Sequence, residues 1–90
     1  ILARRVRTRA GEIDLIARKP GLVIFVEVKA RATDTELDLA IDERRLARVA
    51  KAAESIAHDY LQPGDDMQID VMLLAPGRIP RHLSNVWMGG

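Results

Sequence analysis

Cysteine is absent from this chain of 90 residues, which excludes disulfide staples and thiolate metal sites and makes a reducing compartment unproblematic. Aromatic residues are scarce. One Phe, one Tyr and one Trp leave the core to aliphatic side chains. No apolar run approaches the roughly 20 residues needed to span a bilayer, and no charged segment followed by an apolar one marks a signal peptide, so a cytoplasmic protein is expected. Charge of one sign is lacking too. The net charge of +1 conceals an uneven distribution, with Arg4, Arg5, Arg7, Arg9, Arg18, Lys19, Lys29 and Arg31 in the first third and Arg44, Arg45, Arg48 and Lys51 in a second group. A basic surface beside acidic residues suits a phosphate-rich partner that also needs a cation bound. The length fits one domain over residues 1–90 with a modest core. The chain opens on Ile1 rather than methionine and its first residues already read as a strand, so the expectation is a fragment that lacks an N-terminal element.

What is present is organised around Leu22-Val23-Ile24-Phe25-Val26-Glu27-Val28-Lys29-Ala30-Arg31. Up to Val28 the apolar run has the composition of a strand buried on both faces, yet it carries Glu27 and Lys29. An ion pair in a mostly dry sheet loses hydration that mutual attraction need not recover, so a role other than stability is the first to consider. Alternation puts Val23, Phe25, Glu27 and Lys29 on one face, with the two charged Cα atoms roughly 6.6 Å apart.

Before this strand, residues 1–9 read as an edge strand with Arg5, Arg7 and Arg9 on one side, and Ala10-Gly11 as a turn. Arginines that blunt a sheet edge against aggregation explain this pattern as readily as phosphate contacts do. Glu12 to Ala17 reads as a second strand, with Glu12, Asp14 and Ile16 pointing one way and Ile13, Leu15 and Ala17 the other. Pro20-Gly21 reverses the chain. If these two are the central turn residues, Lys19 pairs with Leu22 and Asp14 comes opposite Glu27; a slip of one residue would put the two carboxylates on opposite faces.

Residues 30–41 read as a polar loop, and Asp42 as the N-cap of a long helix whose apolar stripe runs through Leu46, Val49, Ala50, Ala53, Ile56, Ala57, Tyr60 and Leu61. Gln62-Pro63-Gly64-Asp65-Asp66 ends it. Gln68 to Leu74 is a further apolar strand interrupted by Asp70, and His82 to Trp87 a short last one. The fold class is α/β, a mixed sheet in the order β-β-β-α-β-β with one helix packed on it.

Asp14, Glu27 and Lys29 form an Asp-(x12)-Glu-x-Lys pattern across a hairpin. Two carboxylates on adjacent strands are hard oxygen ligands that can hold Mg2+ (or Mn2+) at about 2.0–2.1 Å. Such a cation acidifies a bound water and neutralises charge on phosphorus, and a lysine can orient that water, which is the chemistry of phosphodiester hydrolysis. A purely structural Glu27–Lys29 ion pair with a solvated Asp14 is the competing reading. Glu12, on the face of Asp14, is expected to support the site rather than to bind metal. Arg31, Arg44, Arg45 and Arg48 are candidate DNA phosphate contacts, with a solvated basic face as the ordinary alternative. Asp70 should satisfy a backbone group or an arginine, His58 and His82 should be surface residues, and Tyr60 and Trp87 packing residues.

Arg9-Ala10-Gly11-Glu12-Ile13-Asp14-Leu15-Ile16-Ala17 followed by Phe25-Val26-Glu27-Val28-Lys29-Ala30-Arg31 closely resembles the YraN family of uncharacterised bacterial proteins, predicted endonucleases of the PD-(D/E)XK superfamily similar to archaeal Holliday junction resolvases. The resemblance runs through the arginine-rich helix start and Gln68-Ile69-Asp70-Val71 to Val86. It implies a restriction-endonuclease-like fold, Asp14 and Glu27 as metal ligands, Lys29 as the catalytic lysine, and an N-terminal helix missing from this chain. Gln68-Ile69-Asp70 stands where the family often has Arg-Phe-Asp, and Arg45 where it has lysine or glutamine. The kinship implies cleavage of branched DNA by a twofold homodimer, since a junction needs two symmetric cuts. A nuclease-like domain that has lost its chemistry and binds nucleic acid or a protein partner is the alternative.

Overall fold

The computed structural model describes residues 1–30 and 43–87. The loop expected over the site, the candidate contact Arg31 and the expected helix cap Asp42 lie outside the described residues. Strands β1 (Ala3–Thr8), β2 (Gly11–Lys19) and β3 (Leu22–Ala30) come first, then helix α1 (Glu43–Ile56), then β4 (Asp66–Leu74) and β5 (Arg81–Leu83). They form one sheet in the spatial order β1-β2-β3-β4-β5. Among the described strands only β3 and β4 pair in parallel, and the connection that carries α1 supplies the crossover that a parallel pair requires. The mixed α/β architecture and the order of its elements are as the sequence pattern predicts. Among the described residues no helix is long and apolar enough to cross a membrane.

Pro20 and Gly21 are the two turn residues between β2 and β3, and Lys19 pairs with Leu22. Gly21 takes φ 72°, a conformation open to glycine at little cost. From this turn the register runs through Ile16 opposite Phe25 to Leu15 opposite Val26. Val23, Phe25, Ile69, Ile13 and Ile16 form the core with Val49, Ala50, Ala52 and Ala53 of α1. The alanines let the helix approach the sheet closely, and the single buried phenylalanine fills the space beneath them. Leu46, Val71 and Leu73 continue the core toward β5. Tyr60 and Trp87 pack against the rim, so both are packing residues as expected.

Strict alternation fails in β2. Ile13 and Ile16, 1% and 0% exposed, share one core cluster although they stand three residues apart. Leu15 pairs with Val26 and Ile16 with Phe25, so alternation is regular there, and the irregular step lies between Ile13 and Leu15, at Asp14. The β1–β2 register agrees on both sides of this point but omits Arg5 and Asp14, and Arg5 takes φ 51°. The expected split of Ile13 from Ile16 is thus corrected. Burying both isoleucines outweighs a regular ladder.

Helix α1 is shorter than its apolar stripe predicts. It stops at Ile56, and a single 3-10 turn, Ala57–Asp59, follows. Tyr60 and Leu61 still reach the core from outside the helix. The exit is fixed by Arg18, whose Nη2 donates to the Tyr60 carbonyl at 3.0 Å and to Asp65 Oδ2 at 2.6 Å; the same Oδ2 accepts the Gln62 N–H at 2.7 Å. The last strand is also short. Asn85, at φ 52°, turns the chain after Leu83, while the Val86 N–H is held by the Ile69 carbonyl at 2.9 Å.

The Arg18 hydrogen bond, followed by that of the Gln62 amide, holds the Asp65 carboxyl below its usual range. A depressed carboxyl stabilises the fold above its unfolded pKa and loses that contribution as pH falls through the folded value. Asp65→Asn should therefore lower the urea midpoint at neutral pH. The gap between variant and parent should close below about pH 4.

Candidate functional site

Because neighbours in register share a face, Glu27 beside Val71 and Lys29 beside Leu73 both lie on the side of the sheet that α1 covers. Both neighbours belong to the core. Lys29 is 5% exposed, an unusual burial for an ammonium group, and its Nζ meets Glu27 Oε1 at 2.6 Å. Arg45, at the start of α1, brings its Nε to 4.0 Å from the same Oε1. Oε1 therefore carries both cationic contacts. The Glu27 side chain, 15% exposed, opens onto a cavity of about 300 Å³ between the β1–β2 turn and α1.

Asp14 reaches the same strand by a different route. The β2–β3 ladder ends at Leu15 opposite Val26, and where the strands part the Asp14 Oδ2 accepts the Val28 N–H at 2.7 Å. That N–H belongs to the peptide joining Glu27 to Val28. The expected Asp14–Glu27 rung is thus replaced by a side chain that spans the gap. Each carboxylate commits one oxygen to the protein, Asp14 Oδ2 and Glu27 Oε1. No hydrogen bond or ion pair to the other oxygen of either is found among the described residues.

Gly11 and Glu12 form one wall of the cavity, and Arg45 and Arg48 form the other. Glu12 stays partly solvated, with Arg7 Nε 4.0 Å from its carboxylate. Of the three helix arginines expected to face phosphate, Arg45 and Arg48 line the cavity whereas Arg44, also exposed, does not. The difference is helical phase. Positions 45, 48, 49 and 52 share a face, and position 44 is turned away from it. The described residues contain no group of three or more His, Asp or Glu side chains arranged to hold a metal.

Asp70 was expected to satisfy a backbone group or an arginine. It does bind a backbone group, the Asn85 N–H at 2.9 Å, but its other partners are the Gln68 amide at 2.9 Å and His82 Nε2 at 2.6 Å. Its carboxylate, 1% exposed, ties β5 and the following turn to β4. His82 is exposed as expected, yet it has this buried partner, because its place opposite Met72 sets it on the face of Asp70. Small wall residues such as Gly11 and Ala52 were not singled out from sequence, since nothing in a glycine or alanine signals a cavity.

The chain matches the family described as "Uncharacterised protein family UPF0102" over residues 1–74. It is similar to UPF0102 proteins of Erythrobacter litoralis, 66% identical over 87 residues, and of Sphingopyxis alaskensis, 55% identical over 87 residues; in both cases 97% of this chain and 75% of the relative are covered. A UPF0102 protein of Rhizorhabdus wittichii is 52% identical over 89 residues, covering 99% of this chain and 75% of the relative.

Replacing Glu27 alone leaves a lysine buried without its counter-charge. Glu27→Gln should cost about 3–5 kcal/mol in urea unfolding. The double variant Glu27→Leu/Lys29→Met, which removes both charges and keeps the volume, should recover most of that loss. A single variant as stable as the parent would mean that Lys29 does not depend on Glu27.

Proposed function

This chain belongs to the uncharacterised protein family UPF0102, and we propose that it is a metal-dependent endonuclease that hydrolyses DNA phosphodiester bonds, with branched or structured DNA as its substrate class. The observation that carries this reading is the convergence of three groups on one short stretch of β3. Lys29 is paired with Glu27, and the Asp14 carboxylate grips the peptide between them. On this reading the chain stands with the PD-(D/E)XK nucleases that its Asp-(x12)-Glu-x-Lys pattern resembles.

The donor set fits a hard cation. Asp14 and Glu27 are oxygen ligands, and each keeps one oxygen uncommitted to the protein. Bound there, Mg2+ or Mn2+ would supply a Lewis acid and a water of lowered pKa. The chain's own residues do the rest. Glu27 fixes the Lys29 ammonium by a 2.6 Å contact, so its charge stands ready where negative charge develops on the phosphate oxygens and costs little reorganisation. The surrounding aliphatic core lowers the local dielectric and strengthens that interaction. Arg45 and Arg48, on the cavity wall, offset the charge of the approaching phosphates, and Glu12 keeps the Arg7 side of the cavity from becoming uniformly cationic.

Alanine at Asp14, Glu27 or Lys29 should lower cleavage of a four-way junction in Mg2+ by at least about 10²-fold, and EDTA should abolish the parent's activity. Circular dichroism reports whether each variant is folded. Cutting that survives all three changes removes the enzyme reading. A parent that binds DNA with strong salt dependence and never cuts is instead a binding domain of nuclease fold. A twofold dimer, which two symmetric cuts require, should appear in sedimentation at micromolar concentration; a monomer alone there counts against junction resolution.

A further inference from the structure

Beside the cavity at Glu27 lies a second one, of about 470 Å³, walled by Arg7, Thr8 and Arg9 on one side and Ser55 and Ile56 on the other. The two cavities have no lining residue in common, but the same two elements flank both. The β1–β2 turn bounds both, and α1 bounds both, with Arg45 and Arg48 at the first and its last residues at the second. From Arg45 to Ile56 the helix axis rises roughly 16 Å. Their succession along α1, past Arg45, Arg48 and Ala52 and then Ser55 and Ile56, traces a groove from Glu27 past the turn.

Thr8 makes the turn rigid. Its Oγ1 donates to the Gly11 carbonyl at 2.7 Å and accepts the N–H groups of Ala10 and Gly11, each at 3.1 Å. Arg9 is thereby presented from a fixed backbone. Among the described residues neither Arg9 nor Arg48 has an ion-pair partner, and Arg7 meets Glu12 only at 4.0 Å. Arg9 and Arg48 thus bring cationic charge with no paired carboxylate among the described residues, on a chain whose overall charge is only +1. It has no aromatic floor, because Phe25 is fully buried and Tyr60 and Trp87 pack against the core. Bases have nothing to stack on, which leaves the phosphates as the feature to be read. A concave path between a helix and a tight turn admits one backbone more readily than the convex face of a duplex.

We infer that this groove carries a single DNA strand by its phosphates, from Arg7 and Arg9 at the turn past Arg48 to Arg45 and Glu27. The inference rests on the reading of Glu27 as part of the cleavage centre, and it adds that the substrate presents an unpaired strand beside the scissile bond. The arginines track the backbone without regard to sequence.

Fluorescence anisotropy with a labelled oligothymidylate, in buffer free of divalent cations, separates binding from chemistry. The logarithm of the parent's affinity should fall linearly with the logarithm of salt concentration, and Arg9→Gln and Arg48→Gln should each flatten that slope by about 0.7. Lys19→Gln removes the same charge at the exposed Pro20–Gly21 turn, at the other end of β3 from Glu27, and should leave the slope unchanged. A blunt duplex of equal length should bind more weakly than the oligothymidylate. Parent-like slopes in both groove variants, or tighter binding of the duplex, would overturn the inference. A parent that binds in the expected way but never cuts DNA in Mg2+ keeps the groove and loses the hydrolytic reading. A parent that cuts while both groove variants keep its slope loses the groove alone.

Discussion

The contact between Glu27 and Lys29 is the constraint on which the rest of this structure depends. An ammonium group among aliphatic side chains is tolerable only with its counter-charge held close, and here the two are 2.6 Å apart on one strand. Two further features follow from that pair. The strand that carries it must be central, because only flanking strands and a covering helix can make the surroundings dry. The helix must also present a cation to the same oxygen rather than another acid, as Arg45 does. A pair of similar shape built from Leu and Met would cost no charge desolvation, so hydrophobic burial does not account for the two charges.

The irregular step in β2 is the complementary device. A regular strand that buried Ile13 would turn Asp14 to the far side of the sheet, away from Glu27. The break at Asp14, matched across the ladder by the left-handed Arg5, lets the strand bury both isoleucines. Asp14 then replaces the missing ladder bond by taking the Val28 N–H itself. A carboxylate that closes the sheet with one oxygen and leaves the other uncommitted is held in place without being neutralised.

Two acids away from the cavity, the half-buried Asp65 and the buried Asp70, hold the frame around it. Asp65 and Arg18 fix the exit from α1, and Asp70 fixes the turn after β5 through a side-chain amide, a backbone N–H and an imidazole. Each lies at an end of the helix–sheet layer. The helix that carries Arg45 and Arg48 is thereby anchored at its far end.

The residue pattern alone determined the order of elements, the Pro20–Gly21 reversal, the helix face through Leu46 and Ala53, and the pairing of Glu27 with Lys29. These follow from periodicity, turn chemistry and alternation, which act over a few residues. The count from the turn that set Asp14 opposite Glu27 held as far as Leu15 and then failed, because the competition between a regular ladder and the burial of Ile13 is decided by the helix packed above. The helix end was misjudged for a related reason: Tyr60 and Leu61 continue the apolar stripe, but Arg18, more than forty positions earlier in the chain, captures the Tyr60 carbonyl. Which arginines meet the cavity, and that Asp70 and His82 are partners, depended on elements far apart in sequence coming into contact. Local pattern fixes what each segment can be, whereas only tertiary packing decides which of its side chains meet, because burial energy is shared among segments and no single one contains it.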